Sequence, residues 1–426
     1  MTEVGQGTGQ DTGPEAALRH GQTRNLALAT WTFAINFWAW NMIGPLASHY
    51  DKDLRLSAFQ TSMLVAVPVL VGSLGRIPVG ALTDRHGGRL MFAVVSLLSI
   101  IPVLFVGFAG SSYALLLVGG FVLGLPGTVF AVGVPFCNAW YEKARRGFAT
   151  GVFGAGMGGT ALSAFFTPRL ADSIGRTQTY VLVAAALAVT AGVVYLLARD
   201  SPLWRPSSEP ITPRLAAAAR IPTTWRACLL YGLAFGGFVA FSTYLPTYLK
   251  NVYHFSAVDA GMRTAGFSLA AVVGRPLGGT LSDRVGPRAV LIFSFSLTAV
   301  MAVVASFSLP PELRAGTTYV LLALALGLGT GAVFALIGKL VEPSKVGSVT
   351  GLVGAAGGLG GYFPPILMGL VYGATGSYVI GLLLLAACAL GAVLFTATAF
   401  PRRTGREAAA NGDGTPPPAT RTDDRT

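Results

Sequence analysis

Two arginines, Arg76 and Arg275, stand inside long apolar runs, and each opens a nearly identical stretch: GRIPVGALTDRHGGR from Gly75 and GRPLGGTLSDRVGPR from Gly274. A guanidinium keeps its proton at any physiological pH, so it cannot escape burial by becoming neutral. Each arginine precedes an aspartate, Asp84 or Asp283, by eight residues, roughly 12 Å at the helical rise of about 1.5 Å per residue. In a hydrocarbon layer roughly 30 Å thick, that depth is close to the middle. A charge there costs from about 3 to more than 10 kcal/mol. No aspartate or glutamate lies in the interior of a predicted helix to neutralise them. The pattern implies a water-filled cavity in which two planar donor forks await an anion, because a planar oxyanion matches the fork bidentately. The competing reading has both arginines bonded to backbone carbonyls as helix clamps.

The surrounding chain explains why the setting is a bilayer. Of 426 residues, 53% are hydrophobic and 11% charged, about half the charged fraction of a soluble domain. Apolar runs near 20 residues recur, the length a spanning helix needs. Twelve helices are predicted, at 25–49, 58–83, 90–110, 112–141, 147–173, 178–199, 223–250, 257–283, 288–308, 316–342, 347–373 and 377–399. The fold class is therefore an all-α integral membrane protein. The domains read as a tail over 1–24, a six-helix bundle over 25–199, a linker over 200–222, a second bundle over 223–399 and a disordered tail over 400–426. The first tail is polar and glycine-rich, the linker is rich in proline, serine and arginine, and the last tail is polar with a PPP run.

The net charge of +12 is spread over loops and forms no single patch, which argues against nucleic acid as a partner. Lysine and arginine are concentrated in the linker, the tails and the loops on their side, so both termini are expected in the cytoplasm. Arginine-over-lysine, alanine-rich usage points to a bacterial inner membrane. Cys137, Cys228 and Cys388 lie apart in apolar segments and suggest neither a metal site nor a disulfide framework. No catalytic constellation or cofactor motif is present, and a soluble enzyme is excluded by composition. His20, His49, His86 and His254 all fall in loops or near helix ends.

The two bundles are repeats. Asp84 matches Asp283 and Arg89 matches Arg288 at an offset of 199; GFATGVFGAGMGG from Gly147 matches GSVTGLVGAAGGL from Gly347 at an offset of 200. GTVFAV from Gly127 matches GAVFAL from Gly331. Two homologous bundles related by an axis along the membrane normal are a transporter architecture, with the substrate between them near the midplane. The glycines Gly154, Gly156 and Gly159 form a formal G-x-G-x-x-G, but within an apolar helix, so a dinucleotide fold is rejected. Together with Gly357, Gly358 and Gly360 they read as close-packed helices lining the cavity. Lys339 is expected to snorkel. Asn36, Asn41 and Asn138 are polar groups that either bond a neighbouring helix or touch substrate.

The pattern G-x-L-x-D-R-x-G-x-R at Gly80–Arg89, repeated at Gly279–Arg288, resembles the cytoplasmic loop signature of the major facilitator superfamily. That resemblance gives Asp84, Arg85, Arg89, Asp283, Arg284 and Arg288 a gating role, the aspartates accepting bonds from a neighbouring helix N-terminus. One second-helix arginine per half, a glycine-rich fifth helix and GGLGGYFPP on the eleventh together resemble the nitrate/nitrite porter family. The likeness runs from about Trp31 to Pro401. It implies that Arg76 and Arg275 grip the anion while Phe130 and Tyr231 sandwich it. The chain departs from the family at the fifth helix, where GAGMGGT lacks the usual asparagine and offers Met157, Gly158, Gly159 and Thr160 instead; Thr160 supplies a hydroxyl there. The expected function is alternating-access transport of a small inorganic oxyanion, nitrate or nitrite, by a monomer. Exchange is favoured, with proton-linked transport left open. A carrier of a larger organic anion is the alternative.

Overall fold

The computed structural model describes residues 14–142, 145–206, 210–307, 310–342 and 345–400. Among these there are no strands, and the helices pair into twelve spans. The first half contains α1 (Pro14–Trp40) with α2 (Ile43–Leu54), then α3 (Ala58–Leu74) with α4 (Arg76–His86), and α5 (Gly88–Phe108). It continues with α6 (Tyr113–Val122) and α7 (Val129–Trp140), then α8 (Arg146–Gly154) and α9 (Gly159–Ile174), and ends with α10 (Arg176–Leu197). After a short helix α11 (Ile211–Ala219), the second half comprises α12 (Pro222–Tyr253), α13 (Ala257–Val285), α14 (Pro287–Ser306), α15 (Tyr319–Leu340), α16 (Val346–Gly360) with α17 (Phe363–Thr375), and α18 (Val379–Ala399).

The repeat is visible in local chemistry. Ser57 opens α3 with a capping box, its hydroxyl accepting from the Gln60 amide while the Gln60 side chain accepts from the Ser57 amide. Its repeat counterpart Ser256 opens α13 by accepting from the Asp259 amide. Each cap satisfies N–H groups that the first helical turn leaves free. Gly87 and Gly286 end the second span of each half at φ 87° and 89°, a backbone region that only glycine enters without strain. That requirement accounts for the glycine inside each D-R-x-G stretch.

Eight spans are long and apolar enough to cross a bilayer by themselves. The other four are the first, fifth, eighth and eleventh. The first breaks at Asn41–Met42, the fifth passes through a 3-10 turn at Ala155–Gly158, the eighth carries Arg275, and the eleventh breaks at Gly361–Tyr362. These spans face the opposite half: α9 packs on α13, α2 on α12, and α16 and α17 on α3. Irregular or charged backbone is tolerated there because protein surrounds it in place of lipid. The outward faces are apolar, with Ile101 and Leu394 each 67% exposed.

One expected boundary is corrected. Residues 14–24 belong to α1 and not to a tail. The expected linker over 200–222 holds α11 at Ile211–Ala219, and α12 begins inside its end at Pro222. The expected tail, from 401 onward, lies outside the described residues.

Candidate anion site

Arg76 and Arg275, on α4 and α13, are 2% and 4% exposed. Each reaches across to the other half. Arg76 Nη1 donates to the Gly354 carbonyl of α16 at 2.7 Å, and its Nε makes a longer bond of 3.4 Å to the Gly127 carbonyl. Gly127 sits in a 3-10 turn, Leu125–Thr128, that interrupts the fourth span and turns its carbonyl away from the regular ladder. Arg275 Nη1 lies 3.7 Å from the Met157 sulfur of the fifth span, a weak acceptor. Gly154, the repeat counterpart of Gly354, gives Arg275 its room: a Cβ there would stand 3.1 Å from Cζ.

The carbonyl-clamp reading thus describes part of Arg76 and none of Arg275. Nη2 of each guanidinium is buried without a hydrogen-bond partner, as is the Tyr231 hydroxyl. Neither arginine has a carboxylate partner among the described residues. Buried donors left unmade cost about 1–3 kcal/mol each, more when charged, so this is a site with unspent donor capacity.

Aromatic rings supply what partial satisfaction the protein offers. Phe130 packs against both cations, its centroid 5.2 Å from Arg76 Cζ and 5.5 Å from Arg275 Cζ. Phe235 flanks Arg76 at 5.4 Å and Phe334 flanks Arg275 at 5.4 Å. Desolvated cation–π contacts of this kind contribute about 2 kcal/mol or more. Tyr231 stacks on Phe235 at 5.0 Å and meets Phe334 edge-on at 4.9 Å, within electrostatic reach of both arginines. Phe235 and Phe334 escaped the sequence reading. Phe334 occupies in GAVFAL the place of Phe130 in GTVFAV, and Phe235 follows Tyr231 by one turn, so both signals were available.

The remaining candidates separate. Thr160 spends its only proton on the Met157 carbonyl at 3.0 Å, and Met157, not Thr160, meets the arginine. Gly154 and Gly357 adjoin the site; a Cβ on Gly357 would strike the Tyr231 ring at 2.1 Å. Gly156, Gly159, Gly358 and Gly360 instead make close helix contacts, against Phe33, the Ala34 carbonyl, Ser73 and the Gly232 backbone respectively. Asn36 bonds Ser96, Asn41 donates to the Ser242 carbonyl across the halves, and Asn138 accepts from Thr150.

On the face that carries α11, the loop motifs are used unevenly. Asp84 pairs with Arg214 of α11 at 3.2 Å, while the N-terminus of α5 is capped by Asp200, which accepts from the Gly88 and Arg89 amides at 2.7 and 3.1 Å. The expected capping role therefore falls to Asp200. Arg89 bonds the Tyr195 carbonyl and Arg288 the Ala397 carbonyl. Asp283 lies 3.8 Å from Lys339, whose half-exposed side chain donates its ammonium to the Ser282 carbonyl near the end of the eighth span. Arg85 and Arg284 are exposed.

A two-bundle membrane carrier with a cationic, aromatic centre is the class these features define. Known proteins agree. The Major Facilitator Superfamily profile matches residues 29–265 and 254–422. The chain is 57% identical over 380 residues, 88% of its length and 96% of the relative's, to the Mycobacterium tuberculosis protein named "Probable nitrate/nitrite transporter NarK2". It is 37% identical to the "Nitrite extrusion protein" of Bacillus subtilis, covering 86% and 91%. It is also 33% identical to the "Probable nitrate/nitrite antiporter NarK1" of Thermus thermophilus, covering 84% and 87%. A bacterial homologue of the human lysosomal transporter Spinster shares the fold at a TM-score of 0.69 and 18% identity, over 88% of this chain and 96% of that one. The chain belongs to the major facilitator superfamily and, within it, to the nitrate/nitrite porter family. It is a multi-pass membrane transporter and not an enzyme.

Proposed function

We propose that the chain carries nitrate or nitrite across the membrane by alternating access, with the anion held between Arg76 and Arg275. The observation behind this is the pair of buried guanidiniums, one from each half, each with an Nη2 donor free and no carboxylate to meet it. A planar anion takes bidentate bonds from such forks and cancels charge that low-dielectric surroundings make expensive. Tyr231 offers a further hydroxyl donor, and the Phe130, Phe235 and Phe334 rings around the guanidiniums suit a flat, weakly hydrated ion. A larger organic anion is disfavoured because the Phe130, Phe235 and Phe334 rings pack directly against the two cations.

Without an anion, two like charges face each other across the halves and resist closure. With one bound, the halves rock past it, so exchange of anions is faster than return of the empty carrier. The basic linker face lies in the cytoplasm of a bacterial cell by the positive-inside bias, and one chain contains both halves of the site. Purified protein in proteoliposomes tests this. Arg76→Ala and Arg275→Ala are each expected to abolish nitrate counterflow; flux intact in both would overturn the reading.

A further inference from the structure

A cavity of about 190 Å³ opens between the halves on the face opposite α11. Its polar lining comes from Ser48, Asp51 and Thr61 of the first half and Thr247, Lys250 and Asn251 of the second. Asp51 Oδ2 and Lys250 Nζ stand 2.7 Å apart across the boundary. The neighbouring pairs His49–Asp172 and Arg176–Asp53 stay within the first half. Asp51 and Lys250 are 199 residues apart, the offset that relates Arg76 to Arg275, so they occupy equivalent positions at the ends of the first and seventh spans. Near a pseudo-twofold axis equivalent positions face one another, and here they have opposite charges. Beside them the Thr247 hydroxyl is buried without a hydrogen-bond partner, with the residue only 7% exposed.

We propose that this vestibule is the receiving site for the transported anion on the far face, with Lys250 as its cation and Asp51 as a tethered competitor. A carboxylate is planar and has two charged oxygens, the outline of the small oxyanions assigned to the central site. Bound to Lys250, Asp51 holds the ends of α2 and α12 together. When the halves part there, Asp51 departs with α2, and the Lys250 ammonium remains on α12 beside the free Thr247 hydroxyl. An arriving anion then takes the place Asp51 vacated, which lowers the cost of staying open and concentrates substrate at the mouth of the path to Arg76 and Arg275. The site thus rests on the anion-transport reading for its ligand, while the latch does not.

Two readouts separate these elements. In a background with Cys137, Cys228 and Cys388 replaced by serine, Thr61→Cys in the vestibule reports opening through its rate of modification by a membrane-impermeant maleimide. Asp51→Asn and Lys250→Gln should each raise that rate several-fold, and the exchange Asp51→Lys with Lys250→Asp should restore it. Nitrate half-saturation from the far side, measured in oriented proteoliposomes, should fall several-fold in Asp51→Asn and rise several-fold in Lys250→Gln. Unchanged maleimide rates in both single variants would overturn the latch. Half-saturation moving in the same direction in both would overturn the receiving site. Should the single variants fail to fold, the exchanged pair decides, since a site built on this ion pair predicts a folded, wild-type-like labelling rate. Wild-type vesicles that move no nitrate would instead overturn the transport reading, and the labelling rates would still judge the latch.

Discussion

At the scale of single residues, the centre is defined by groups that are buried and incompletely bonded. Tyr231 buries its hydroxyl without a partner, a penalty of about 1–3 kcal/mol in the empty protein. Tyr231→Phe removes that penalty and a donor together. Its melting temperature without anion should match or exceed the wild type, while the upward shift caused by nitrate should shrink; a full nitrate shift would remove Tyr231 from the site. Gly154 makes the converse case. A methyl group there would press on the Arg275 guanidinium at 3.1 Å, whereas Gly351, a turn earlier than Gly354 in the other half, has open space. Gly154→Ala should lower nitrate uptake on the order of tenfold through displaced geometry, and Gly351→Ala should leave it near wild type.

At the scale of elements, the conformation of a helix end matters more than the charge count around it. Asp200 satisfies two amides at the N-terminus of α5, and losing such a cap costs about 1 kcal/mol. Asp200→Ala should therefore lower the thermal midpoint measurably. The Asp84–Arg214 pair has both side chains more than a third exposed, where solvent screening leaves an ion pair about 0–1 kcal/mol. Arg214→Gln should scarcely move the midpoint. If it slows nitrate exchange with stability intact, α11 acts in gating through Asp84; an unchanged exchange rate would leave it a tether.

At the scale of the whole molecule, two cations in opposing halves make the empty and loaded carriers unlike. Nitrate or nitrite on the opposite side of the membrane should accelerate nitrate movement several-fold, and efflux into anion-free medium should be slow. Equal rates in both conditions would show that the empty carrier crosses freely. The architecture behind this behaviour was legible in the chain itself. Composition and run length dictated a membrane fold, because a bilayer demands apolar helices of one length. The 199-residue offset dictated two halves, and the depth of Arg76 and Arg275 singled them out, because an unpaired charge in hydrocarbon calls for a partner. The loop aspartates, Thr160 and most of the glycines were harder to assign, since their roles depend on what stands opposite across helices distant in sequence. Only the tertiary structure gave the cap to Asp200 and the arginine contact to Met157, brought Phe130 against both cations, and set Asp51 against Lys250. Such pairings are decided by the packing of the halves, which a linear pattern of apolar and charged residues does not specify.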